Sequence, residues 1–246
     1  MNAGDGFYVG YLPAPAGHSR AARWFAAAVV VGLAVLGGAL AVSQGPVGEG
    51  VWDDTGSSTL TGTLVLDPYP RLITTDHDGE PLDVVLVEQG KIGAGDRARP
   101  FGGTRVTVRG GLIRWGGKAV LELTGATSDF EAAGGEAASL GHQSKGREVL
   151  EGEIVDPKCW LGVMNPGRGK PHLSCAELCI RGGIPPVLMV REPGRAEGRC
   201  LLMTTPEGGA ANEMVRGLIG FRVRVEGDVI GGGWESIRVM SVRRAD

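Results

Sequence analysis

Aromatic residues are scarce in this chain, with five Phe, five Trp and three Tyr among 246 residues. That scarcity excludes a core built on large rings, and 43 glycines favour short strands separated by many turns. A surplus of positive charge is also missing. With 25 Lys and Arg against 28 Asp and Glu, the formal charge is -3, so no overall basic field supports a nucleic-acid partner. No Cys-x-x-Cys-His motif occurs, which removes the usual signature of covalent haem attachment. No Ser-His-Asp or paired-carboxylate pattern stands out, so the sequence offers no catalytic residues.

Charge is absent altogether from Trp24 to Val42 (WFAAAVVVGLAVLGGALAV). As a helix rising about 1.5 Å per residue, this run is long enough to cross a hydrocarbon core about 30 Å thick. A cleaved signal peptide is the competing reading, since Ala41-Val42-Ser43 resembles a small-residue cleavage site. The 23 residues before the run, and an apolar stretch longer than the roughly 7–15 residues of a signal core, favour an uncleaved anchor. Arg20 and Arg23 precede the run, whereas Glu49, Asp53 and Asp54 follow it and the next positive residue is Arg71. By the positive-inside rule the N-terminus is cytoplasmic and the main domains are periplasmic or otherwise extracytoplasmic, as expected of a single-pass protein of the bacterial inner membrane. The cysteines then lie in a compartment that permits disulfides.

Residues 1–23 form a cytoplasmic tail whose Phe7-Tyr8-Val9-Gly10-Tyr11-Leu12-Pro13 suits a membrane interface and a partner's helix. Residues 24–42 are the anchor, and 43–57 read as a linker punctuated by Gly, Ser and Asp. Strand patterns follow at Thr59–Leu66, Leu82–Glu88, Thr104–Leu112 and Lys118–Thr124, the last two joined by the turn Arg114-Trp115-Gly116-Gly117. A second linker spans 129–145, with room for a short helix inside Phe130–Leu140. The pattern then returns. Glu148–Pro157 repeats the order of Thr59–Pro68, and Phe221–Val242 repeats Thr104–Leu123, both copies reading R-V-x-V-x-G-x-x-I. The expected architecture is therefore mainly β: two small barrels of the OB kind at 58–128 and 146–246. Val187–Arg191 and Cys200–Thr204 supply the middle strands of the second barrel, and Ala210–Gly217 a short helix. Trp115 and Trp234 are expected to cap their own barrels.

The second copy carries an insertion, 158–186, that the first lacks. It runs Cys159-Trp-Leu-Gly-Val-Met-Asn-Pro-Gly-Arg-Gly-Lys-Pro-His172-Leu-Ser-Cys175-Ala-Glu-Leu-Cys179. A helix from Pro171 to Gly182-Gly183, closed off by Pro185-Pro186, places His172, Cys175 and Cys179 at i, i+3 and i+7 on one face. The Gly/Pro-rich loop 165–171 brings Cys159 over that face. Three chemistries compete. One is a disulfide among Cys159, Cys175, Cys179 and Cys200, stapling the loop. Another is a metal site with Cys159, His172, Cys175 and Cys179 as ligands for zinc, copper or iron. The third is a reactive thiol whose thiolate is favoured by the helix dipole, Lys170 and His172. His18 and His142 read as solvated, and His77 as a turn residue.

The segment D-x-x-C-W-L-G-V-M-N-P-G-x-G-K-x-H-x-x-C-A-x-x-C-I-x-G-G-I-P-P, about thirty residues from Asp156 to Pro186, resembles one in uncharacterised bacterial membrane-anchored extracytoplasmic proteins with OB-like domains. The anchor-plus-barrel layout also resembles the cytochrome c maturation haem chaperone. That family's haem-binding His and Tyr near the barrel's C-terminal end have no counterpart after Trp234, so haem carriage does not follow. The expected function is an accessory or assembly subunit of a larger membrane complex, a redox one, docked at the inner membrane. The alternatives are an independent thiol-disulfide or metal-handling protein, and an oligonucleotide- or oligosaccharide-binding module. No nucleic acid is expected as a partner.

Overall fold

Trp24 to Val42 lies inside one helix, α1, Ala16–Ser43. The computed structural model describes residues 16–43, 50–76, 79–137 and 139–245; the aromatic tail segment and His77 lie outside them. α1 begins before the apolar run because 16–23 hold no helix breaker beyond Gly17. It is the one described helix long and apolar enough to cross a membrane. Its apolar side chains are exposed all round, Trp24 and Phe25 among them. That is the distribution a lipid-facing helix needs, and no face of it is patterned for a core.

The rest, from Gly48 on, is one compact unit containing two copies of one barrel. In the first, β1 is Val51–Trp52, β2 Ser58–Val65, β3 Arg71–Thr75, β4 Pro81–Val87, β5 Arg105–Trp115 and β6 Lys118–Leu123, with a four-residue helix α2, Gly95–Ala98, between β4 and β5. Strand β7, Phe130–Ala132, pairs with β5. In the second, β8 is Gln143–Val155, β9 Val187–Glu192, β10 Arg195–Thr204, β11 Arg222–Gly231 and β12 Ser236–Arg244. α3, Gly169–Arg181, sits between β8 and β9.

The pairings of the two copies correspond strand for strand. β2 pairs antiparallel with β3, β3 with β4, β4 parallel with β6, β6 antiparallel with β5, and β5 returns to β2. In the second copy β8, β9, β10, β12 and β11 make the same circuit, with the parallel step again between the third and fifth strands. This is the five-stranded closure of the OB fold, made twice. The duplication extends to single residues. Gly62 on β2 faces Val106 and Gly152 on β8 faces Val223. A Cβ at Gly62 would overlap the Ile73 carbonyl, and one at Gly152 the Met189 carbonyl. Gly110 and Gly227 make the matching close approach on β5 and β11. Gly62→Ala and Gly152→Ala are each expected to cost about 1–3 kcal/mol, because the neighbouring backbone has to shift. Urea unfolding midpoints check this, and an unchanged midpoint for both would show that the close approaches are not tight.

Several boundaries differ from the sequence reading. β3 falls in a stretch that proline punctuation at Pro68 and Pro70 disguises. The link from first to second strand therefore runs over only 66–70 in the first barrel and over 156–186 in the second, so the insertion is cleaner than expected. Residues 130–132 form an edge strand and not a helix, because Phe130 stacks on Phe101 at 5.1 Å and buried Asp129 bonds Thr124 Oγ1, Gly125 N and Arg97. Gln143–Lys145 already belong to β8, so the expected linker 129–145 contains strand near both of its ends. Val51–Trp52, inside the first expected linker, pairs with β5. In place of the expected helix at Ala210–Gly217, Ala210 bridges to Thr204 and residues 212–217 are turns, with single bonds such as Val215 N to Ala211 O at 3.3 Å.

The barrels share a core. Val85, Val87, Ile113 and Val120 of the first pack in one cluster with Val155, Val187, Met189, Leu202 and Trp234 of the second and with Cys159, Trp160 and Leu161 of the insertion. The two tryptophans reach across and do not cap their own barrels. Trp115 lies on Trp160 at 5.0 Å, and the Trp234 indole N–H donates to the Ala119 carbonyl of the first barrel at 3.3 Å. Tyr69 Oη donates to the Met203 carbonyl at 2.7 Å and accepts from Ala211 N at 2.8 Å.

Candidate metal centre at the barrel seam

The insertion opens at Asp156, where β8 ends. This carboxylate is fully buried, and its two oxygens face two different elements. Oδ1 accepts the Cys159 backbone N–H at 2.9 Å, and Oδ2 bonds His172 Nε2 at 3.0 Å. The first contact starts the single π-type turn Cys159–Val163; the second ties that turn to α3. α3 itself ends as glycine-terminated helices do, with Gly182 N on the Leu178 carbonyl and Ile184 N on that of Cys179. Asn212 Nδ2 satisfies the carbonyls of Ile180 and Ile184 at 2.8 and 2.9 Å.

The helix presents the face that the spacing predicts. His172 and Cys179 are buried and Cys175 is partly exposed. One donor atom from each of Cys159, His172 and Cys175 lies within 4.8 Å of the others, and so do those of Asp156, Cys159 and Cys179. All three predicted cysteines and the histidine are thus brought together, with Cys159 common to both groups. Cys200 is not in either group. It is buried on β10, its sulfur 3.6 Å from the Glu197 carbonyl, and burial pushes its thiol up to about 11.

All four cysteines are free thiols, so the expected disulfide staple is not what shapes the loop. Asp156, the buried Trp160 and Leu161, and Lys158 do that instead. Lys158 is buried, and its Nζ donates to the Glu88 and Gly90 carbonyls at 3.1 and 2.8 Å and to Glu122 Oε1 at 2.6 Å. Those acceptors belong to the first barrel, so the insertion grips its neighbour through an ammonium group. The same grip fixes the loop after β4. Gly93 N donates to the Gly182 carbonyl at 2.9 Å, and a Cβ on Gly182 would overlap the Lys91 carbonyl. Lys91 is carried there, with its Nζ 2.7 Å from Cys175 Sγ.

These contacts set the electrostatics. The Cys179 thiol is held below the ordinary thiol range, first by a hydrogen bond from the Cys159 thiol and then by the nearby Lys91 charge, against the cost of burial. Cys159 is raised, by giving that hydrogen bond and by burial. Lys91 is raised by its bond to Cys175. The reading that favoured a thiolate through Lys170 and the helix N-terminus is not met. Lys170 is exposed, and Cys175 and Cys179 sit in the middle and last turns of α3. The favourable charge is Lys91, which comes from the other barrel.

His172 gives the cluster its chemical character. In a neutral ring, a proton on Nε2, which faces the Asp156 carboxylate at 3.0 Å, leaves the lone pair on Nδ1. Nδ1 is buried with no hydrogen-bond partner among the described residues. A buried, unsatisfied acceptor costs stability unless something fills it. A carboxylate on one ring nitrogen and no partner on the other, in a histidine grouped with thiols, is the arrangement in which an oriented histidine ligates a metal. Two donor atoms each about 2.3 Å from one ion stand at most about 4.6 Å apart, and each of the two groups of three lies within 4.8 Å, close to that limit. Asp156 and Lys91 escaped the sequence reading as site residues. Asp156 carried one signal, the Asp-Pro that ends the equivalent strand of each copy, whereas nothing local marks Lys91.

Fold and site define a pair of OB-like barrels, preceded by a helix long and apolar enough to cross a membrane, with a thiol and imidazole cluster at the barrel seam. No family model, curated protein or solved structure matches the chain.

Proposed function

We propose that this protein is a membrane-anchored, extracytoplasmic metal-binding protein serving as an accessory or assembly subunit of a larger membrane redox complex. Its ligands are Cys159, His172, Cys175 and Cys179, with Asp156 orienting the imidazole. The observation that carries this reading is the buried His172, whose Nδ1 has no hydrogen-bond partner among the described residues and which groups within 4.8 Å with the free thiols of Cys159 and Cys175. A Cys3His set suits tetrahedral zinc best; copper(I) and iron are the other ions that take thiolate and imidazole together. The positive charge of Lys91 offsets part of the excess negative charge of three thiolates.

The anchor and its flanking charges support the placement. Arg20 and Arg23 lie before the span and no Lys or Arg follows until Arg71, a charge pattern that supports barrels on the outside by the positive-inside rule. The resemblance of the Asp156–Pro186 segment to anchored extracytoplasmic proteins agrees with it. Full-length protein extracted in mild detergent from membranes is expected to carry one transition-metal ion per chain, and to protect Cys159, Cys175 and Cys179 from alkylation until a chelator is added. Metal-free protein with Cys159 in a disulfide would replace this reading with that of a stapled loop. Native separation of the same extract tests the accessory role: migration with a larger complex is expected, and migration as a lone chain in every mild detergent would remove it.

A further inference from the structure

The four proposed ligands are not equally placed. Cys159, His172 and Cys179 are buried, and Cys175 alone is partly open to solvent. The exposed Lys91 stands at that open edge with its ammonium 2.7 Å from the Cys175 sulfur. Lys91 has not strayed there on a mobile arm. Its loop is fixed by Lys158 on the Glu88 and Gly90 carbonyls, by Glu88 N on the Ile92 carbonyl and by Gly93 N on that of Gly182. The first barrel therefore contributes one positive group to a cluster built wholly by the second, and delivers it to the one ligand a visiting molecule can reach.

We infer, building on the metal-binding reading, that this is a transfer site: metal enters and leaves through Cys175, and Lys91 is the positioning residue that receives the departing sulfur. In the exchange step the bond between the metal and Cys175 Sγ breaks and its electron pair stays on sulfur, where the Lys91 N–H donors stabilise the thiolate. A donor atom of the incoming ligand takes the vacated position, and nothing is oxidised or reduced. The partner such a step fits is a protein or chelating molecule that offers thiolate or imidazole donors of its own, since it has to compete for a soft-ligand ion. The remaining three ligands keep the ion in place until the second set is engaged.

The test uses full-length protein in detergent, loaded with zinc, and follows release to a chromogenic pyridylazo chelator. Lys91→Met is expected to slow release about tenfold, the loss of one charge-assisted hydrogen bond to the leaving sulfur. Lys91→Arg, which keeps a positive donor, is expected to restore most of the rate. Cys175→Ser is expected to release faster than wild type while still binding one ion. Lys91→Met releasing at or above the wild-type rate overturns the inference, as does Cys175→Ser releasing no faster. These failures differ from failure of the metal reading, in which the wild-type protein takes up no stoichiometric zinc at the start.

Discussion

Lys158→Met is expected to destabilise the barrel pair by about 3–5 kcal/mol, the range for removing one partner of a buried ion pair. The Lys158 side chain is 5% exposed and that of Glu122 is 12% exposed. Its three acceptors are Glu122 Oε1 and two carbonyls of the loop that carries Lys91. Methionine fills the volume and leaves a carboxylate with no counter-charge. Because the acceptors belong to one barrel and the donor to the other, the loss is expected in both at once. Urea unfolding followed by Trp fluorescence and by far-ultraviolet dichroism should give one transition, shifted equally for both probes. Adding Glu122→Gln to Lys158→Met should return a large part of the loss. Two separated transitions, one per barrel, would show that the shared core does not couple them.

His172→Ala and Asp156→Asn attack the site itself. Asp156→Asn keeps a hydrogen-bonding side chain but loses the carboxylate that fixes the imidazole proton on Nε2, and is expected to weaken metal binding about 10–100-fold. His172→Ala removes a proposed ligand outright and should cost more. It also strands the buried Asp156, so a stability loss of about 1–3 kcal/mol accompanies it. The barrels should remain folded, because the first copy makes the same five-strand closure with only residues 66–70 in place of the insertion. Competition against a chelator of known affinity separates the two effects, with dichroism as the check on folding. Equal affinity in Asp156→Asn and wild type would mean that the carboxylate does not orient a ligand.

Much of this was legible in the sequence, for particular reasons. The repeat of R-V-x-V-x-G-x-x-I marks the fourth strand of each barrel because alternation and a close-approach glycine are both demanded there, and any chain making that closure twice has to repeat them. The face holding His172, Cys175 and Cys179 follows from helical spacing alone. What was hidden is what depends on contact between distant segments. Arg71–Thr75 reads as loop because prolines precede it, yet it is a strand because β2 and β4 flank it. Phe130–Ala132 is strand because the edge of β5 is open to it. The site's second half was hidden for the same reason: Lys91 and Cys175 are 84 residues apart along the chain and meet only because the two barrels pack against each other. Trp115 and Trp234 were visible as paired turn residues, but only the seam shows that each packs against the other barrel.

X-ray absorption at the metal edge, on full-length protein purified from membranes and loaded to one zinc per chain, reads the ligand set directly. A first shell of three sulfurs at about 2.3 Å and one imidazole nitrogen at about 2.0–2.1 Å is expected, reduced to three sulfurs and a light atom without imidazole scattering in His172→Ala. A shell of nitrogen and oxygen alone, or the same spectrum in wild type and His172→Ala, would contradict it.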